Sequence, residues 1–356
     1  MVDNATSIER RVFKMRMFKG HALNVCVALL LIVSITFAGG GNRAGTSAAP
    51  ELLIPVGARD IAMGGASVAS TSGIDAIFWN PAGLGRSSND ATALFSHMTY
   101  LADISINYFA VGVNFKDFGT IGFSLKSLNI GEIAVTTNDF PDGTGELITP
   151  TFVTLGITYS RLLADNISVG FTTSLITERI DRVSATGLAI NAGVQYSNLG
   201  SIPGLNLGVV VKNIGPQMKF DGSGLLAAGE VDGRQSFYKL ESGSFELPST
   251  IEIGASYSRK LSEDNSLTLT SLFQNNNFSE DEYKFGAEYS FQNMFFIRGG
   301  WNFAQQSSPQ IEYIFGPTFG AGVDYSLTDV RIGVDYAFRH TEYFSGNHVI
   351  TLRLGF

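Results

Sequence analysis

From about residue 91 to the last residue the chain alternates apolar and polar side chains with a period of two. A strand puts successive side chains on opposite faces, so this pattern specifies β-structure with two chemically different faces. In "VRIGVDYAFRH", Val330, Ile332, Val334, Tyr336 and Phe338 share one face, opposite Arg331, Gly333, Asp335, Ala337 and Arg339. "YKFGAEYSF" repeats it, with Tyr283, Phe285, Tyr289 and Phe291 against Lys284, Glu288 and Ser290. So do Phe109, Val111, Val113 and Phe115 against Tyr108, Ala110, Gly112 and Asn114. A soluble sandwich turns the apolar face to a core, whereas a membrane barrel turns it to lipid and the charged face to the lumen.

Composition and connections favour the barrel. Charged residues are 16% of the chain, against roughly 25% in soluble proteins, while mean hydropathy is +0.15 and aromatics reach 12%. Such segments number about fourteen, each roughly 10–15 residues long, as a tilted membrane strand requires. They fall near 91–100, 103–115, 118–129, 150–163, 166–180, 184–198, 204–214, 248–260, 265–276, 282–292, 294–304, 316–327, 330–340 and 347–356. The connections sort by parity: "KDFG", "ADN", "LSEDN", "QN" and "SLTD" are short, and the other set holds the long loops 130–149, 215–247 and 305–315. Outer-membrane barrels have this asymmetry, with short periplasmic turns and long external loops. An even strand count places both termini on the periplasmic side. The expected fold is all-β: a transmembrane antiparallel β-barrel of about fourteen strands with a small N-terminal plug, in a Gram-negative outer membrane whose lipid and lipopolysaccharide surround it. Ile350, Leu352, Leu354 and the terminal Phe356 share a face in the last strand, which is expected to close the barrel and resembles the C-terminal signal of outer-membrane proteins.

The one near-continuous apolar run, Ala22 to Phe37, follows basic residues between Arg10 and Lys19 and precedes a small-residue site after Ala38. This is a signal-peptide layout over residues 1–38, with translation starting at Met1, Met15 or Met17 and an uncleaved anchor helix as the alternative. Its removal takes five basic and two acidic residues, leaving 19 and 30 and a net charge of −11, and removes the single cysteine, Cys26. An acidic chain without a basic cluster argues against nucleic acid. Without cysteine there is no disulfide framework.

Residues 39–90 read as a flexible linker ("GGGNRAGTSAAP") and a compact glycine-rich plug segment, ahead of the barrel at 91–356. In "GIDAIFWNPAGL", Ile74, Ile77 and Phe78 suit one face of a short helix. Pro81 drives Asn80 extended, and with Gly83 at positive φ "NPAG" reads as a tight turn. "GARDIAMGGASVAS" followed by "DAIFWNPAGL" resembles the N-terminal motif of the PorV/PorQ family, relatives of the FadL fatty-acid channels. Gly57, Arg59, Met63, Gly64, Gly65, Asn80, Pro81, Ala82 and Gly83 carry the resemblance. It implies a plug within the barrel mouth, with Trp79 packed on the barrel interior and the turn redirecting the chain into strand one. It also implies a role in type IX secretion, holding or ferrying exported proteins, or alternatively passage of hydrophobic molecules as in FadL-like members.

No catalytic, cofactor-binding or metal-binding set emerges. His97, His340 and His348 lack a third ligand in sequence, and interfacial polar roles are expected. "NDFPDGTGE" (138–146) places Phe140 where a calcium loop needs oxygen. "MGGASVASTSG" lacks a preceding strand and a P-loop lysine. Neither a G-x-S-x-G elbow nor a Ser/His/Asp set is present. Lys126, Lys284, Glu288, Arg331, Asp335, Arg339 and Arg353 are expected to pair inside the lumen, with tuning of permeation as the sharper alternative.

Overall fold

The structure, a computed structural model, describes residues 43–305, 312–328 and 330–356. The proposed signal peptide and residues 39–42 lie outside them. Fourteen strands form a closed antiparallel barrel in chain order. These are β1 (Ala91–Thr99), β2 (Ser105–Asn114), β3 (Thr120–Asn129), β4 (Thr151–Ala164), β5 (Ile167–Ile180), β6 (Val183–Tyr196) and β7 (Leu205–Ile214). The circle continues through β8 (Thr250–Lys260), β9 (Ser266–Asn276), β10 (Glu282–Phe291), β11 (Phe295–Ala304), β12 (Phe315–Leu327), β13 (Val330–Thr341) and β14 (Asn347–Gly355). The last strand pairs with the first from Thr92↔Gly355 to Thr99↔His348. Beyond the ladder, Phe356 accepts from Asp90 and Ala91 and donates back to Ala91.

Alternation becomes an outside and an inside. Ile350 and Leu352 face outward while Thr351 between them is fully buried, and Val334 and Tyr336 are exposed on either side of buried Asp335. Burial is therefore inverted relative to a soluble protein, because the apolar face meets lipid. Aromatic rings gather at both ends of the wall: Phe118, Tyr159 and Phe171 at one, Phe273, Tyr283 and Phe303 at the other. Such belts mark the two interfaces of a membrane-spanning barrel.

The long connections after β3 and β7 leave the barrel at the end where β11 also stops, opposite the turns after β2, β4 and β10. Both read as loops in sequence, yet they carry their own strands. Residues 133–134 pair with 147–148, 218–219 with 244–245, and 226–231 form a hairpin with 234–239.

The lumen holds the packed core. Val56, Ile61, Ile74, Ile77, Trp79 and Leu84 of the N-terminal segment pack together with Leu94, Met98, Ile106 and Tyr108 of the wall. This segment contains two short helices, α1 (Ala58–Ala62) and α2 (Ala76–Trp79), and 3-10 turns at Pro50–Leu53, Gly73–Asp75 and Pro81–Arg86. One expectation fails. β1 starts and β14 ends at the short-turn end, but the chain at Arg43 sits at the long-loop end. There Arg43 Nη2 meets Glu246 Oε2 at 2.7 Å and Ala48 N donates to the Glu246 carbonyl at 2.9 Å. At the other extreme, Arg86 donates to the carbonyls of Asn166 and Gln195 beside the short turns. Strand parity governs only the strands, and the segment before β1 threads the barrel lengthwise.

Candidate functional site

The threaded segment and the wall it touches form the candidate site. Its second half is seated by small residues. Asn80 is extended (φ −153, ψ 106) and caps the 3-10 turn by accepting from Ala82 N at 3.2 Å. Its amide donates to the carbonyls of Val68 at 2.9 Å and Val194 at 3.2 Å, so one buried side chain ties two plug segments to β6. Pro81 occupies the first position of the turn, where its missing N–H costs nothing. Ser160 of β4 donates to Ala82 O and accepts from Gly85 N, both at 3.0 Å. "NPAG" is therefore not a tight turn but the start of a six-residue 3-10 turn, and Gly83 is absent from the positive-φ glycines. Gly83 matters for contact: a Cβ there would collide with Thr71 O and Ala76. The turn packs on β4, β5 and β6 before residues 87–90 lead into β1.

Wall glycines make this approach possible. A Cβ at Gly170 would strike the Pro81 carbonyl, at Gly193 the Asn80 amide, at Gly208 the Val68 carbonyl, and at Gly320 Ala62. A side chain at any of these would push the segment off the wall.

The first half is held by charge. Gly57 (φ 85) precedes α1, and Gly64 and Gly65 (φ 68 and 72) follow it, conformations that favour glycine. Met63 is buried, and Gly64 N donates to Thr318 Oγ1 at 3.0 Å. Arg59 reaches Glu288 at 3.3 Å, and from there a buried chain of ion pairs crosses five wall strands, β10 to β14. Glu288–Arg298, Arg298–Asp335 and Asp335–Arg353 are each 2.6 Å, and Arg353 also meets Asp75 and Asp324 at 3.1 Å. Both plug halves join this network, through Arg59 and Asp75.

Trp79 lies inside the plug more than on the wall. Its Nε1 donates to Val56 O at 3.1 Å, and its ring would clash with a Cβ on Gly65. On the wall side, Lys212 Nζ stands 5.6 Å from its ring. The expectation of paired lumen charges holds for Lys284 with Glu282 (3.0 Å), Arg331 with Asp324 (2.8 Å) and the chain above. Two cations depart from it. Lys126 Nζ donates to the carbonyls of Glu51 (2.7 Å) and Ile54 (2.5 Å), docking the plug, and Arg339 lies 3.4 Å over the Phe315 ring. Periodicity places these side chains inward but carries no sign of their partners.

Two chambers flank the plug. One, of about 350 Å³, lies toward the long loops and is lined by Phe78, Trp79, Tyr100, Tyr313, Phe315 and Arg339 among others. The other, of about 290 Å³, lies toward the short turns and is lined by Arg59, Asp75, Arg86, Arg298, Asp324 and Arg353 among others. The histidines stand apart from both: His97 bonds Asn107 and His348 bonds Tyr336, each at 2.8 Å. Among the described residues no group of His, Cys, Asp and Glu is placed to hold a metal ion. Residues 138–146 form an exposed loop segment with Phe140 in the open.

A family model described as type IX secretion system protein PorV matches residues 38–275. No curated protein matches the chain. Among solved structures, the Pseudomonas putida toluene transporter TodX is 14% identical, with 90% of this chain and 99% of that chain covered and a TM-score of 0.54. The CymD monoaromatic hydrocarbon channel is 12% identical, with 85% of this chain and 97% of that chain covered and a TM-score of 0.51. At these identities the likeness is one of fold, a closed β-barrel.

Proposed function

This chain belongs to the PorV family, and we propose on that footing that it is a non-enzymatic outer-membrane barrel supporting type IX secretion. It binds or anchors exported proteins at the cell outer membrane, with secretion-system proteins and exported cargo as its partners. Residues 57–65 and 79–83 form the plug motif that keeps the lumen shut, and Ile350, Leu352, Leu354 and Phe356 form the closing strand that keeps the wall intact. The observation that carries this reading is the threaded lumen. A segment running from Arg43 to Arg86, bonded to the wall at both ends and clasped by ion pairs between, supports a body that offers surfaces rather than an open pore. The long loops face outward in this reading and expose apolar side chains for a partner, Phe140, Phe237 and Leu240 among them.

Deleting the gene should leave exported proteins in the periplasm, and restoring it should return them to the surface. Affinity purification from outer membranes should bring exported proteins with the barrel. Normal export in the deletion strain, with only lipid co-purifying, would overturn the reading.

A second reading has its own observation. The aromatic-lined chamber favours a channel for hydrophobic small molecules, as TodX is described to be for toluene. Uptake of labelled toluene into proteoliposomes, absent from protein-free vesicles, would move the assignment there.

A further inference from the structure

The wall is not paired along its whole circumference. β11 pairs with β10 over its full length, from Glu282↔Ala304 to Phe291↔Phe295. With β12 it pairs only from Phe295↔Val323 to Gly300↔Thr318. Trp301 to Phe303 therefore lie opposite Phe315 to Pro317 with no ladder between them, over about 10 Å at ~3.3 Å per residue. Pro317 has no N–H to give, and the β12–β13 register shifts between Phe315 and Thr318. The irregularity between β6 and β7 is closed by a side chain, Asn191 Oδ1 accepting from Asn213 N at 2.7 Å. At the β11–β12 seam the bridge is a single side chain, Tyr313 ahead of β12, which meets Asn302 of β11 and donates to Glu282 Oε2 at 3.0 Å, while the backbone of residues 301–303 stays outside the ladder.

The seam has two unmatched neighbours. Arg339 is 7% exposed with Nε and Nη1 lacking acceptors, and Asn302 is 6% exposed with Oδ1 lacking a donor. Both line the larger chamber. Phe303, on the same stretch of β11, stacks on Tyr283 at 5.2 Å in the aromatic belt, so the seam lies at the depth of the membrane interface. At that depth the edges are open to approach from the aqueous side, and an unpaired strand edge is a template for another strand.

We infer that the β11–β12 seam accepts an extended peptide segment of a partner protein by strand addition. What must be matched decides the occupant. The strand edges offer donors and acceptors together, Arg339 needs an acceptor and Asn302 a donor. An anion or a hydrocarbon answers only part of that set, whereas a peptide backbone supplies both kinds in alternation. The outward Trp301 and Phe303 and the inward Asn302 call for a guest that alternates apolar and neutral polar side chains. The inference rests on the reading of the protein as a binder of polypeptides.

The test uses the full-length processed barrel in lipid nanodiscs and a short fluorescent peptide alternating Val and Thr. The peptide should bind, and the same sequence N-methylated at alternate residues should bind roughly tenfold more weakly, since one row of backbone bonds is lost. A Trp301→Cys/Pro317→Cys pair should abolish binding when oxidised and regain it on reduction. Equal binding of both peptides, or no binding of either, would overturn the proposal, as would full binding to the locked barrel. If the disulfide does not form, the N-methyl comparison on the unaltered protein decides alone. Exported proteins that still co-purify with a locked barrel would sink the seam but leave the binding role standing, whereas none co-purifying with the unaltered barrel would sink the role itself.

Discussion

The two halves of the plug both lie on wall glycines but are anchored by different means. Around Asn80 to Gly85 the attachment is neutral: an amide, a serine hydroxyl, and wall glycines that allow backbone to lie on backbone. Around Ala58 to Gly65 it is ionic, with Arg59 anchored in a buried network of guanidinium and carboxylate. The neutral half depends on shape, so added volume breaks it. The ionic half depends on balance, because removing one partner leaves a buried charge uncompensated.

The harshest break strikes the wall that both halves share. Deleting Leu352 to Phe356 removes Arg353 from the network and part of the ladder to β1 together. Backbone left unpaired in lipid costs several kcal/mol per group, so the truncated chain should disappear from outer membranes and lose the gel shift between unboiled and boiled samples. Normal levels with an intact shift would show that this segment is dispensable for closure.

Next comes the ionic half alone. Arg298→Met takes away the cation that Glu288 and Asp335 share, leaving each with one arginine, Arg59 or Arg353, and should cost about 3 kcal/mol, read as a lowered unfolding midpoint. Protease cleavage should rise near α1 and stay unchanged near Pro81. Equal cleavage at both sites would mean that the halves act as one unit.

The neutral half should respond to volume by a smaller amount. Gly193→Val drives a side chain into the Asn80 amide and should cost about 1–3 kcal/mol. Asn80→Ala/Pro81→Ala takes the amide from the Val194 carbonyl and leaves the Val68 carbonyl to Gln195 alone, at about 1 kcal/mol. Both should expose residues 60–85 to protease while leaving the strands paired. Unchanged proteolysis would reduce the motif to an ordinary turn.

The fold was largely legible. Period-two alternation is local, so Val330 to Phe338 and Ile350 to Phe356 announce their outward face without knowledge of any neighbour. Strand limits came within about three residues, because turn residues and charge punctuate the pattern. The error over the N-terminus has the same origin: counting strands says nothing of a segment that crosses the lumen without pairing. The reading of Gly83 as a positive-φ turn residue failed because glycine serves close approach as readily as unusual φ, and only the position of Thr71 decides between them.

From sequence alone, then, came the barrel, its two faces, its long-loop end and the family motif, all carried by residues near one another in the chain. Only the tertiary structure decided that Arg59 meets Glu288, that Asn80 reaches Val194, and that β11 and β12 part at Gly300. These meetings join positions far apart in the chain. Closing fourteen strands around a threaded segment sets which inward side chains face one another, and no repeat of two residues encodes that.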